Sequence, residues 1–207
     1  MSLNGGPSSA GSLRPTPLAR VLFAVASGVL LGISFPKASV APAAFVALIP
    51  LLLALDGVSN RFGFLLGLAT GTVQGLIVLS WVSDVLTRFG GASEGLALFC
   101  TSVLSVAFGF FLALFGALQA QIQRVACSRA TLLAPIAFVA CEFSREHLLF
   151  GFPWCLLGYS QVEFPELIQI AAFTAVHGVS FVVASASSGL AYFLLAQNRF
   201  EKRIGLT

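Results

Sequence analysis

The sequence predicts an all-α polytopic membrane protein, a bundle of about six transmembrane helices. Three observations predict it. Hydrophobic residues make up 57% of 207 positions and charged residues only 9%, against about 25% charged in a typical soluble domain. Mean hydropathy is +0.96, more apolar surface than a soluble fold of this size could bury. The apolar runs are continuous, without the period-two alternation of a membrane β-barrel. Twenty Phe and one Met point to helices packed through phenylalanine. The net charge is +3, and the basic residues flank apolar runs. They do not cluster with aromatics as a nucleic-acid face requires, so no nucleic acid is expected as a partner.

Residues 1–17 are rich in Ser, Gly and Pro and read as a disordered N-terminal tail. The six-helix domain spans 18–197, and 198–207 forms a C-terminal tail. The first two apolar segments, 18–35 and 42–56, are short for a bilayer that needs about 20 residues. Pro36 and Pro42 separate them, which suits a tight helical hairpin. The first also resembles a signal peptide, with Ser39-Val40-Ala41 as a cleavage-like site. Pro42 directly after that site argues for a retained helix. The third segment, 62–83, carries Gly63, Gly67, Gly71 and Gly75, each four residues from the last. That spacing lines one helical face, and small residues let a second helix approach closely in lipid. Helix packing is the reading for this ridge, with a ligand path as the alternative. The fourth segment, 95–121, is long enough to tilt, and the fifth covers 130–148. The sixth, 165–197, begins at Pro165-Glu166 and has Gly178 inside it, which suits a short interfacial helix leading into a spanning one. It offers small residues of its own at Ala184, Ser185, Ser187, Ser188 and Gly189.

Orientation follows from the basic residues. With a cytoplasmic N-terminus, Arg14, Arg20, Arg61, Arg124, Arg129, Arg199, Lys202 and Arg203 lie inside, and Lys37, Arg88 and Arg145 lie outside. Eight against three favours this orientation. It places both termini in the cytoplasm and the loop 149–164 on the outer face.

The residues with chemical potential gather between Glu142 and Gln161. Glu142 and Arg145, three apart, share a helical face. Each charge near the bilayer centre costs about 2.5–3.5 kcal/mol on insertion scales. They read either as an ion pair pinning the helix end beneath the loop, or as a polar contact for a lipid head group or another domain. Glu146 and His147 read as an interfacial edge, because no further ligand stands at a metal-binding spacing. Gly151-Phe152-Pro153-Trp154 is a turn, and Gly158-Tyr159-Ser160-Gln161 follows it. Trp154 and Tyr159 suit the head-group level, as anchors or as guides for a substrate. An exposed Asp84–Arg88 pair would be worth little. His177 is a lone helix histidine, more often satisfied by a neighbour than catalytic. Cys100, Cys127, Cys141 and Cys155 form no Cys-x-x-Cys pair and read as small apolar filler. Cys155 lies in the loop without a neighbour that would activate it. Ser160 lacks a base and a nucleophile elbow. No cofactor or metal is expected.

Glu142-x-x-Arg145, Gly151-Phe152-Pro153-Trp154 and Gly158-Tyr159-Ser160-Gln161, in that order and spacing, resemble the membrane half of the bacterial apolipoprotein N-acyltransferases. The Gly178-Val179-Ser180-Phe181 run and Trp81 before the Phe89-Gly90-Gly91 loop are similar to that family too, although His177 departs from it. The resemblance runs from about Leu18 to Phe200 and is strongest from Ala134 to Phe181. It implies a multi-pass protein of the bacterial inner membrane. It also implies transfer of an acyl chain from a phospholipid to the N-terminal diacylglyceryl-cysteine of a lipoprotein, through a thioester. The implied catalytic Glu, Lys and Cys belong to a nitrilase-like domain on the outer face, for which these 207 residues have no counterpart. No catalytic residue can therefore be assigned here. Glu142, Arg145, Trp154, Tyr159 and Gln161 are candidates for facing lipid or that domain. The expectation is a truncated acyltransferase that is inactive alone. The alternatives are the membrane subunit of a split enzyme with a separate nitrilase-like chain, and a non-enzymatic transporter or scaffold.

Overall fold

The computed structural model describes residues 15–126, 128–148 and 151–203. Most of the tail read at 1–17, Cys127 and residues 204–207 lie outside them. The described chain is helical, and no strand occurs among the described residues. Among the described residues, three helices are long and apolar enough to cross a membrane: 60–78, 94–125 within a longer helix, and 171–197 within another.

Helix α1 (Pro17–Ile33) starts where Thr16 accepts the Ala19 amide and Pro17 supplies a preset φ. Its buried stripe, from Arg20 through Ala24, Ser27, Gly28 and Leu31 to Gly32, faces the rest of the bundle. The second apolar segment is not one helix. It is a 3-10 turn (Ala41–Ala43) followed by α2 (Ala44–Ala47) and α3 (Ile49–Ala54). Pro50 sits in the first turn of α3 and lacks the N–H that a continuous helix would use. Side chains from elsewhere satisfy the freed backbone. Ser27 donates to the Ala47 carbonyl, and Arg20 donates to the carbonyls of Ala54 and, at 2.9 Å, Asp56. Ser187 donates to Phe45 O at 2.7 Å. Irregular backbone at membrane depth is tolerated where protein encloses it in this way.

Helix α4 (Asn60–Val78) is capped by Ser59 and lies between α1 and α6 (Glu94–Ala126). The helix read over 62–83 ends instead at Val78, and a separate α5 (Trp81–Arg88) follows. The apolar run stops at Leu79, and Ser83 bonds back to Ser80 O at 2.8 Å, the local competition that makes serine a poor helix continuer. The fifth segment starts as a 3-10 turn (Ser128–Leu133), with α7 (Ala134–His147) beginning at Pro135's turn. The sixth divides into α8 (Pro165–Ile168) and α9 (Ala171–Arg203), and α9 is broken at Ala175 with φ 53° and ψ −167°.

The four glycines of α4 lie against α6, antiparallel. A Cβ on Gly63 would meet Gly116 O at 2.6 Å, one on Gly71 would meet Gly109 Cα at 2.6 Å, and one on Gly75 would meet Ser105 Cα at 3.0 Å. The α6 side contributes its own glycines, Gly109 and Gly116. The core beneath is built on Leu48, Leu51, Leu52, Leu55, Leu66 and Phe115, with Phe115 edge-on to Phe138 at 5.4 Å.

Candidate functional site

Three connections meet at one end of the bundle: the turn after α1, the α4–α5 break, and the chain between α7 and α8. Lys37 Nζ donates to Ser80 Oγ at 2.9 Å, and Trp81 lies 5.1 Å from Trp154, ring to ring. The α7–α8 chain folds back sharply. Gly151 takes φ 61°, a left-handed value that glycine adopts without penalty. The Phe152 amide then returns to Arg145 O at 3.0 Å.

Glu142 and Arg145 make no direct ion pair. Each reaches the backbone of the returning chain instead. Glu142 Oε1 accepts the Leu157 amide at 2.6 Å. Arg145 Nη2 donates to Cys155 O at 3.2 Å, and its guanidinium lies 4.5 Å over the Phe108 ring. The two side chains, 4% and 2% exposed, thus clamp residues 155–157 from one helical face. Leu156 and Leu157 are buried behind the clamp. The 3-10 turn Leu157–Gln161 is held from the other side by α9. Gly158 donates to Ser180 Oγ at 2.8 Å, and a Cβ there would meet Val176 O at 2.6 Å, so the motif glycine answers a close helix approach. Gln161 is fully buried and donates to Ala41 O at 3.1 Å and to Ser160 Oγ at 2.7 Å.

The five residues singled out in this stretch therefore divide. Glu142, Arg145 and Gln161 face inward and hold backbone. Trp154 and Tyr159 are 46% and 48% exposed and flank an open depression with Trp81, Pro153 and Cys155. Burial pushes the Cys155 thiol above its ordinary range, and Arg145 nearby opposes this; a thiol so placed is a poor nucleophile. Glu142 Oε2 and Arg145 Nε are buried without a hydrogen-bond partner.

Three further residues act here, and of them sequence reasoning missed Phe108 altogether and the partners of Ser180 and His177. Ser180 was signalled by the Gly-Val-Ser-Phe run without its partner being evident. Phe108 is one of twenty phenylalanines and carried no signal. His177 places Nε2 3.1 Å from Glu146 Oε2, joining α9 just after its break to the end of α7. The groups of His, Cys, Asp and Glu among the described residues include none able to hold a metal ion.

A family profile described as the apolipoprotein N-acyltransferase N-terminal domain matches residues 27–189. The apolipoprotein N-acyltransferase of Geobacter metallireducens is 39% identical over 169 residues, covering 80% of this chain and 32% of that protein. That of Coxiella burnetii is 35% identical over 131 residues, 60% of this chain and 26% of the relative. That of Vibrio cholerae is 28% identical over 179 residues, 86% and 35% of the two chains. The chain spans about a third of the length of such relatives.

Proposed function

The chain belongs to the apolipoprotein N-acyltransferase family, and from that membership we propose that it forms the membrane half of such an enzyme. The whole enzyme would move an acyl chain from a phospholipid to the N-terminal diacylglyceryl-cysteine of a lipoprotein. In this reading the activated thiolate and its Glu and Lys partners come from a nitrilase-like part, on the same or a separate chain. The residues present here hold the platform on which that part works, at the outer face of the bacterial inner membrane, with both termini cytoplasmic.

The observation that carries this reading is the clamp. Glu142 and Arg145 fix the backbone of 155–157 from below, Ser180 fixes Gly158 from the side, and Trp154 and Tyr159 are left half-exposed above. A rigid loop with outward aromatic rings suits the head-group level, where such rings are half apolar and half hydrogen-bonding. Acyl transfer from an ester needs an activated nucleophile, a proton acceptor and oxyanion stabilisation. The raised Cys155 thiol offers none of these.

Acylation of a diacylglyceryl peptide by the purified chain tests the division of labour. No turnover is expected from these residues alone. Turnover that Cys155→Ser abolishes would make Cys155 the nucleophile and overturn the reading. Reporter fusions after Gln161 and Arg203 test the topology: a periplasmic reporter should work at the first site and fail at the second.

A further inference from the structure

Between the clamped turn and the spanning part of α9 the chain makes a strap with two distinct edges. Backbone bonds three residues back recur along it. The Phe164 amide donates to Gln161 O at 2.9 Å, Leu167 to Phe164 O at 3.0 Å, Ile170 to Leu167 O at 3.3 Å and Phe173 to Ile170 O at 3.1 Å. That spacing brings side chains three apart into line. Phe164, Leu167, Ile170 and Phe173 therefore form one row, and Glu163, Glu166 and Gln169 form the next. The apolar row does not sink into the protein. No residue from Val162 to Gly178 is buried. Leu167 and Ile170 are half-buried, and of the row only Leu167 packs against the core cluster. Phe164 is 40% exposed and Phe173 is 93% exposed. The row of Glu163, Glu166 and Gln169 is exposed throughout.

Ala175 ends the strap with φ 53° and ψ −167°. That conformation costs any residue with a Cβ, and it persists only where something outweighs it. Gly178 answers the same fold-back, since a Cβ there would collide with Thr174 Oγ1. A straight α9 would avoid the cost, but it would carry Ile170 and Phe173 up the axis of a spanning helix and away from the bilayer. The break turns the strap aside instead. Inside the protein the strap buries no residue, so what offsets the break lies outside it. After the break α9 carries exposed Phe181, Leu190 and Phe193 along its spanning part, and the chain thus enters lipid within a few residues of Phe173. An amphipathic segment in that place settles in the plane of the interface, its apolar edge in the boundary between head groups and acyl chains. We propose that residues 162–174 form an interfacial anchor lying along the membrane surface, with Phe164 and Phe173 in the acyl boundary and Glu163, Glu166 and Gln169 in water. The proposal rests on the membrane character of the chain and is independent of the acyl-transfer reading.

The test uses the full chain in phosphatidylcholine vesicles and tryptophan fluorescence. Trp81→Phe and Trp154→Phe together remove both tryptophans of the chain. Phe173→Trp and Gln169→Trp are then read one at a time; both positions are exposed, so neither substitution crowds the core. Phosphatidylcholine brominated along its acyl chains should remove most of the Phe173→Trp emission, which should be shifted to the blue, and little of the Gln169→Trp emission. Aqueous iodide should do the opposite. Equal quenching of the two by brominated lipid would overturn the proposal. So would iodide quenching Phe173→Trp as it does Gln169→Trp, which would leave the apolar row as a contact for another protein. If the tryptophan-free background does not fold, a benzophenone-bearing phenylalanine at 173 of the otherwise unchanged chain decides. Its crosslinking to phospholipid supports the anchor, and the absence of a crosslink overturns it.

Discussion

The same substitution, glycine to alanine, should have opposite signs at two helical positions of this bundle. At Gly67 a new Cβ would lie 2.9 Å from both Ala113 Cα and the Leu112 carbonyl carbon, and closer still to the Leu112 oxygen. Carbon atoms prefer about 3.5–4.0 Å, so α4 and α6 must separate by roughly half an ångström or more. The obstacle is backbone, which cannot rotate away as a side chain can. Overpacking of this kind costs about 1–3 kcal/mol. Alanine returns about 0.5–1 kcal/mol through lower backbone entropy in the unfolded chain. The net at Gly67 is therefore a destabilisation of up to about 2.5 kcal/mol. At Gly189, inside α9, nothing lies within 4 Å of the added atom. The entropy gain stands unopposed there, and stability should rise by about 0.5–1 kcal/mol. Gly67→Leu should exceed Gly67→Ala in its cost, because the added bulk has no outlet. Equilibrium unfolding of purified protein in detergent, read by helical circular dichroism, gives both values. A Gly67→Ala variant as stable as Gly189→Ala would refute the close approach of α4 to α6.

Two further outcomes concern the clamp. Glu142→Leu strands the buried Leu157 amide and should cost about 1–3 kcal/mol, while Glu142→Gln keeps an acceptor and should cost less. Equal amide exchange at Leu157 in wild type and Glu142→Leu would refute the clamp. Cys155 has a thiol pushed up by burial and held down in part by Arg145, so its thiolate forms at higher pH than a free thiol's. Its maleimide labelling should have a midpoint above about 8.5, the free-thiol value, and Arg145→Gln should move that midpoint further up. A midpoint at or below the free value would refute the assignment.

The helical class was legible because it depends on summed hydropathy, which needs no tertiary information. The breaks were less so. Pro50 and Pro135 lie inside runs whose hydropathy never falls, and a helix can begin at proline as readily as end before it. The α4–α5 break was written in Ser80 and Ser83, but serine side chains at an interface also suit a continuous helix. The glycine ridge was visible through its spacing of four. Its partner was visible too, in Gly109 and Gly116, yet a single chain does not say which small-residue face meets which. At the site, the spacing of three from Glu142 to Arg145 fixes only that both share a helical face. It does not fix that each reaches a different point on a chain ten to fifteen residues later.

Buried polar side chains do the same work at three places in the bundle, and the comparison gives the site its distinction. At three places where the backbone leaves helix inside the apolar body, a side chain from another element meets its orphaned groups. Arg20, Ser27 and Ser187 do so for residues 45–56. Gln119 and Ser188 do so for residues 130 and 131, through Ala130 O and Thr131 O. Glu142, Arg145, Ser180 and Gln161 do so at the outer end. The first two sets use hydroxyls, one amide and a single cation, and close a connection. At the outer end both signs of charge are buried side by side without pairing, each with one atom unpartnered. A buried charge left incompletely paired is among the costliest arrangements a fold can hold. Neutral side chains could have served the same backbone groups, as they do elsewhere in this bundle. The charges at 142 and 145 therefore exceed what closing the loop requires, since each holds one backbone group and leaves a further buried atom unpartnered.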